Sequence, residues 1–207
     1  MGHAVRAAGS RECAMKMLPV RKLVEISRPA MEAFSCVEPK QWDQRAILVE
    51  LIGEIGSLAH HVQYWDGFKR GRVEYSKLAD ECSDVLFILL RLARENSIEL
   101  PSEIAVGEPS NERSADLLLQ LSSHVPRLRG PAEELPGAIC DMLRAVGLLA
   151  GQFGLNLIEV HRCEMNIALQ FFDACGVKWP HPRPFRHPIA AWRLRRMLLE
   201  KRKWRPN

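Results

Sequence analysis

Five residues of this chain have the types and the spacing to surround a divalent cation. Glu50, Glu54 and Ser57 recur at intervals of four and three, and Glu81 and Asp84 at an interval of three. Residues three and four apart lie on one face of an α-helix. Both sets sit in apolar runs, Leu48 to Leu58 and Leu78 to Ala93. A carboxylate in such a run is costly to bury unless it is paired or bound to a metal. If the two runs form an antiparallel helical hairpin, the acidic ridges face each other and the carboxylates converge. An all-oxygen ligand set suits Mg²⁺ or Mn²⁺ rather than zinc, and Mg²⁺ held this way commonly carries a phosphate ligand. Spacing alone leaves a second reading open, in which the acids are solvated on amphipathic helices and answered by nearby arginines.

Several elements must position these residues. Residues 18–37 read as a first helix, with Leu23, Val24, Ile26, Met31 and Phe34 on its apolar face and Pro29 as a kink. Asp43 is the expected N-cap of a second helix, from about Arg45 to Trp65. A glycine-rich basic loop follows, Asp66 to Arg72, with Lys69, Arg70 and Arg72 as sources of positive charge. The third helix runs from about Tyr75 to Asn96. Its second half carries leucines on nearly every face, which places it in the middle of a bundle. Ser97 to Pro101 ends it.

The second half of the chain repeats the first. At a shift of 57 positions Leu78 meets Leu135, Asp84 meets Asp141, Ala93 meets Ala150 and Leu100 meets Leu157. At a shift of 70 Leu48 meets Leu118, Leu51 meets Leu121, Ile55 meets Val125 and Leu58 meets Leu128, so the copy's loop is 13 residues shorter. No strand-like alternation of any length is present. The expected fold class is all-α: two tandem helical hairpins packed as a four-helix bundle. The expected organisation is a disordered leader over 1–17, a first repeat over 18–112, an eroded second repeat over 113–175 packed on it, and a proline-rich and basic tail over 176–207.

Composition sets the outer limits. The 207 residues are 47% hydrophobic and 26% charged, with a formal net charge of +4, which is ordinary for a globular chain. Six cysteines form no CxxC pair. That favours reduced thiols and a cytoplasmic setting over a disulfide framework or zinc site. No apolar run is long enough for a transmembrane helix, and the first residues lack the apolar core of a secretory signal. Trp192 to Trp204 is basic and amphipathic. It reads either as a helix docked through Trp192, Leu194 and Leu198, or as a contact for nucleic acid or another anionic surface.

The stretch Leu51-Ile-Gly-Glu54-Ile-Gly-Ser57-Leu-Ala, then Val62-Gln-Tyr64-Trp65, then Asp80-Glu81-Cys-Ser-Asp84-Val-Leu, resembles the MazG-like all-α nucleoside triphosphate pyrophosphohydrolases. Within them it is closest to dCTP pyrophosphatases. The resemblance covers roughly residues 20–112. It implies hydrolysis of a nucleoside triphosphate to the monophosphate and pyrophosphate, with Mg²⁺ as cofactor and nucleotide-pool cleaning as the role. It implies Glu54, Glu81 and Asp84 as metal ligands, Tyr64 with Trp65 beside it as the base-stacking aromatics, and Asn111 near the phosphates. Trp42 is a further candidate for stacking and Lys69 for phosphate. Glu50 or Glu54 is the expected acceptor of the attacking water's proton.

The departures are specific. Ser57 stands where the family has a fourth acidic ligand, and Gly107 where it has a lysine. In the second repeat the equivalents of Glu54 and Glu81 are His124 and Ala138, and only Asp141 keeps its acid. Arg162-Cys-Glu164-Met-Asn166 is similar to the family's closing run, so Asn166 or Arg162 is expected to reach the pocket from the copy. In the family two hairpins, fused or from two subunits, complete each site, which leaves a homodimer open here. The alternative function is a catalytically degenerate member that binds a nucleotide or a partner protein.

Overall fold

A computed structural model describes residues 16–38, 40–106 and 112–174 of the chain. Its elements are β1 (Lys16–Leu18), α1 (Val20–Val37), α2 (Gln44–Trp65), α3 (Tyr75–Glu95), β2 (Ile104–Val106), α4 (Ser114–Ser123), a 3₁₀ turn (Val125–Arg129), α5 (Leu135–Gln152) and α6 (Leu157–Ala174). Among the described residues the protein is all-α apart from the two short strands. Asn111 and the whole tail from residue 175 lie outside the described residues, as do residues 1–15 of the expected leader.

α2 packs on α3, α3 on α5, α5 on α4 and α4 on α2. These contacts close a ring of four helices around one core that draws on both halves of the chain. α1 and α6 pack on each other and on α3. α3 therefore has neighbours on most sides, and from Cys82 to Ala93 every residue but Asp84 is buried. This is the all-round burial that its leucine pattern requires. Burial pushes the Cys82 thiol up to about 12, so it stays protonated. Cys163 is exposed on α6.

α2 is tied to the second repeat at both ends. Asp43 caps its N-terminus as expected, its carboxylate accepting from the Ala46 amide at 2.8 Å. At the far end Asp66 accepts from the Ala115 amide at 2.8 Å, supplying α4 with a cap that Arg113 does not provide. Near its start Gln44 donates to the Leu128 carbonyl at 2.8 Å. The end of α2 thus meets the start of α4, and its start meets the 3₁₀ turn, so the two run antiparallel.

One expectation changes here. Lys16 and Met17, assigned to the leader, belong to β1, which pairs antiparallel with β2 in the register Lys16↔Val106, Met17↔Ala105 and Leu18↔Ile104. Three-residue strands are too short to show alternation in a sequence. β2 seats on α5 at Gly147, where a Cβ would come within 2.9 Å of Val106. α1 is continuous through Pro29.

A buried imidazole joins α1, α3 and α6. The Ser27 hydroxyl donates to the Leu23 carbonyl at 2.8 Å, so its oxygen is left to accept from His161 Nε2–H at 2.6 Å. Nδ1 of His161 then accepts from the Ser83 hydroxyl at 2.9 Å. Burial holds His161 down to about 4, and the ring is neutral at pH 7.

Candidate metal centre

The α2–α3 hairpin brings Glu54, Glu81 and Asp84 together. One carboxylate oxygen from each lies within 4.8 Å of the others, and all three side chains are half-buried. The local cause is helical geometry. Glu54 borders the buried face of α2 formed by Leu51, Ile55 and Leu58, while Glu81 and Asp84 are one turn apart on α3. Three hard oxygen donors at this spread fit an oxygen-coordinated divalent cation, with room for water or phosphate in the remaining positions. No other cluster of three or more histidine, cysteine or acidic ligands occurs among the described residues.

Beside the carboxylates runs a row of rings that the sequence reading missed. His61 Nε2 is 3.9 Å from Glu81 Oε1, too long for a direct hydrogen bond. Burial first, then the charges of His60 and Lys77, lower the His61 pKa, so its ring is neutral at pH 7. The His60 ring meets His61 at 5.3 Å and Tyr64 at 5.3 Å. Lys69 Nζ lies 3.3 Å from His60 Nδ1 and 5.7 Å from the Tyr64 ring centre. A path of polar and aromatic groups therefore leads from Glu81 through His61 and His60 to Tyr64 and Lys69. A signal existed: His61 stands seven residues after Glu54, two turns along the same ridge.

The remaining candidates are placed elsewhere. Glu50 is exposed one turn before Glu54, about 6 Å along the axis, and is outside the three-carboxylate cluster. Ser57 is exposed. Trp65, expected beside Tyr64 as a stacking aromatic, is half-buried. It packs edge-on against Phe153 at 5.2 Å and against Tyr75 at 5.8 Å, and so fastens α2 to the end of α5. Trp42 lies before α2, whose start is about 15 Å from Glu54 along the axis. Its ring covers the Arg91 guanidinium at 4.5 Å. Asn166 is exposed on α6, on the far side of that helix from His161, and Arg162 pairs with Glu159 at 2.6 Å.

In the second hairpin Asp141 accepts from Arg127 at 2.7 Å and from Arg144 at 2.8 Å, and Arg127 also donates to His124 Nδ1 at 3.0 Å. Partial burial would raise the Asp141 pKa. The two arginine hydrogen bonds and the Arg127 charge outweigh it and hold the carboxyl below its usual value.

The fold and site thus define an all-α protein with one hairpin-borne, three-carboxylate centre among its described residues. Comparison with protein-family models, with curated proteins and with solved structures finds no match.

Proposed function

We propose that the chain is a Mg²⁺-dependent nucleoside triphosphate pyrophosphohydrolase, cleaving an NTP or dNTP to the monophosphate and pyrophosphate in the cytoplasm. The observation that carries this reading is the convergence of Glu54, Glu81 and Asp84 oxygens within 4.8 Å on the α2–α3 hairpin. A divalent cation bound there, Mg²⁺ or Mn²⁺, would offset the charge on the phosphoryl oxygens. Glu54, Glu81 and Asp84 would hold and orient it. The row from His61 to Lys69 gives a triphosphate a direction, with phosphates at the acidic end and the base on Tyr64. Lys69, beside that ring, supplies positive charge at the substrate's edge. Glu54, or Glu50 one turn away, accepts the proton of the attacking water. A pyrimidine such as that of dCTP is favoured by the resemblance of the two motifs alone.

The test is pyrophosphate release across a panel of NTPs and dNTPs with Mg²⁺. Turnover of at least one nucleotide, lost in E81A, is the expected result, and no turnover across the panel overturns the reading. A second reading, a degenerate binder, is favoured by the exposed neutral Ser57 at the position of the fourth acid. It predicts nucleotide binding without turnover, and activity gained in S57E.

A further inference from the structure

The two hairpins can be superposed in sequence, and their burial agrees with the superposition. At a shift of 70, Leu48, Leu51 and Leu58 of α2 meet Leu118, Leu121 and Leu128, and all six are buried. At a shift of 57, Cys82, Val85, Leu86, Leu89 and Leu92 of α3 meet Ile139, Met142, Leu143, Val146 and Leu149, again all buried. The same shifts carry Glu54 to His124, Ser57 to Arg127, Glu81 to Ala138 and Asp84 to Asp141. The copy of the carboxylate cluster is therefore a defined place, between His124 at the C-cap of α4 and Asp141 on α5.

That place holds a guanidinium. A single nitrogen of Arg127, Nη1, lies 2.7 Å from Asp141 Oδ2 and 3.0 Å from His124 Nδ1. It bridges the equivalents of Asp84 and Glu54, as one cation would bridge the originals. It is delivered from the position of Ser57, the residue that leaves the first hairpin a donor short. The other substitutions follow the same logic. Asp141 is the one carboxylate kept at this place, and it is shared by Arg127 and Arg144; the other two positions are His124 and the fully buried Ala138, neither of which offers an acid to a metal.

We propose that Arg127 is a built-in cation occupying the second hairpin's metal position, so that each chain carries one divalent-cation site. This rests on reading Glu54, Glu81 and Asp84 as a metal centre.

Mn²⁺ bound to the full chain can be counted by electron paramagnetic resonance. One ion per chain is expected for the wild type, and two for the variant H124E/R127S/A138E, which copies the first hairpin into the second. Adding E54A should then remove one. A variant with wild-type helicity that binds no more Mn²⁺ than the wild type overturns the proposal. A wild type that binds none beside a variant that binds one would overturn the reading of Glu54, Glu81 and Asp84, and with it the count of one site per chain, while leaving Arg127 as the cation of the second hairpin. Because A138E places a carboxylate in a fully buried position, a second measurement avoids it. In EDTA, R127M should lose about fivefold in the folding equilibrium constant, and R127K should keep most of it. Because Asp141 also holds Arg144, the reference for the double variant is D141N, and R127M/D141N should lose nothing further against it. Equal loss in R127K and R127M, or the same fivefold loss in the D141N background, marks an ordinary packing contact and overturns the proposal.

Discussion

Nε2 of His161 lies 2.6 Å from the hydroxyl oxygen of Ser27, which precedes it by 134 residues. The bond joins the first and last described helices across the side of α3, and it requires a neutral ring with its proton on Nε2. The unfolded chain, whose imidazole titrates near 6.5, takes up a proton before the folded one, held at about 4. Stability from this group is therefore whole above pH 6.5 and declines as pH falls toward 4. The full decline is about 3 kcal/mol. Urea unfolding from pH 7 to 4 should show that slope in the wild type, and H161Q should flatten it. An unchanged slope in H161Q would place the acid sensitivity elsewhere.

Glu38 and Arg91 form a two-pronged ion pair at 2.6 and 2.7 Å, with side chains only 8% and 3% exposed. Removing one partner strands the other charge inside the protein. E38Q or R91M should cost about 3–5 kcal/mol in unfolding free energy, with little response to added salt. Trp42 roofs this pair. W42F should therefore lower the melting temperature and leave the KM for nucleotide unchanged. A raised KM at unchanged stability would return Trp42 to the substrate site.

Gly71 sits at φ +152°, and a Cβ there would come within 2.8 Å of the Tyr64 ring. G71A should push that ring off its position and raise the nucleotide KM by about tenfold, or about 1.4 kcal/mol. Gly53, on the same helix as Tyr64, has open space around the added carbon. G53A should raise helix stability by about 0.5–1 kcal/mol and leave KM alone. Equal KM in both variants would detach Tyr64 from substrate binding.

Much of this arrangement is legible in the sequence because it is local. Helical spacing placed Glu54, Glu81 and Asp84 on facing ridges, Asp43 at a cap and the leucines of α3 at the centre. Periodicity within a helix is a short-range property, and a single sequence carries it. The Ser27–His161–Ser83 chain, the Glu38–Arg91 pair and the β1–β2 pairing join distant residues that carry no shared period. The contacts of Trp42 and Trp65 are illegible for a related reason. A tryptophan's type announces a large ring, and only its neighbours, Arg91 for one and Phe153 for the other, decide what the ring covers. Arg127 was hidden inside a repeat whose equivalence was visible but whose arginine has no meaning until its partners are in place.

The central claim is that the α2–α3 hairpin holds a divalent cation. Calorimetric titration of Mg²⁺ into the full chain, beside E81Q and the exposed-site control E50Q, tests it most directly. The account predicts saturable binding of one ion per chain in the wild type and in E50Q, lost in E81Q. Binding that survives E81Q, or no binding in the wild type, would contradict it.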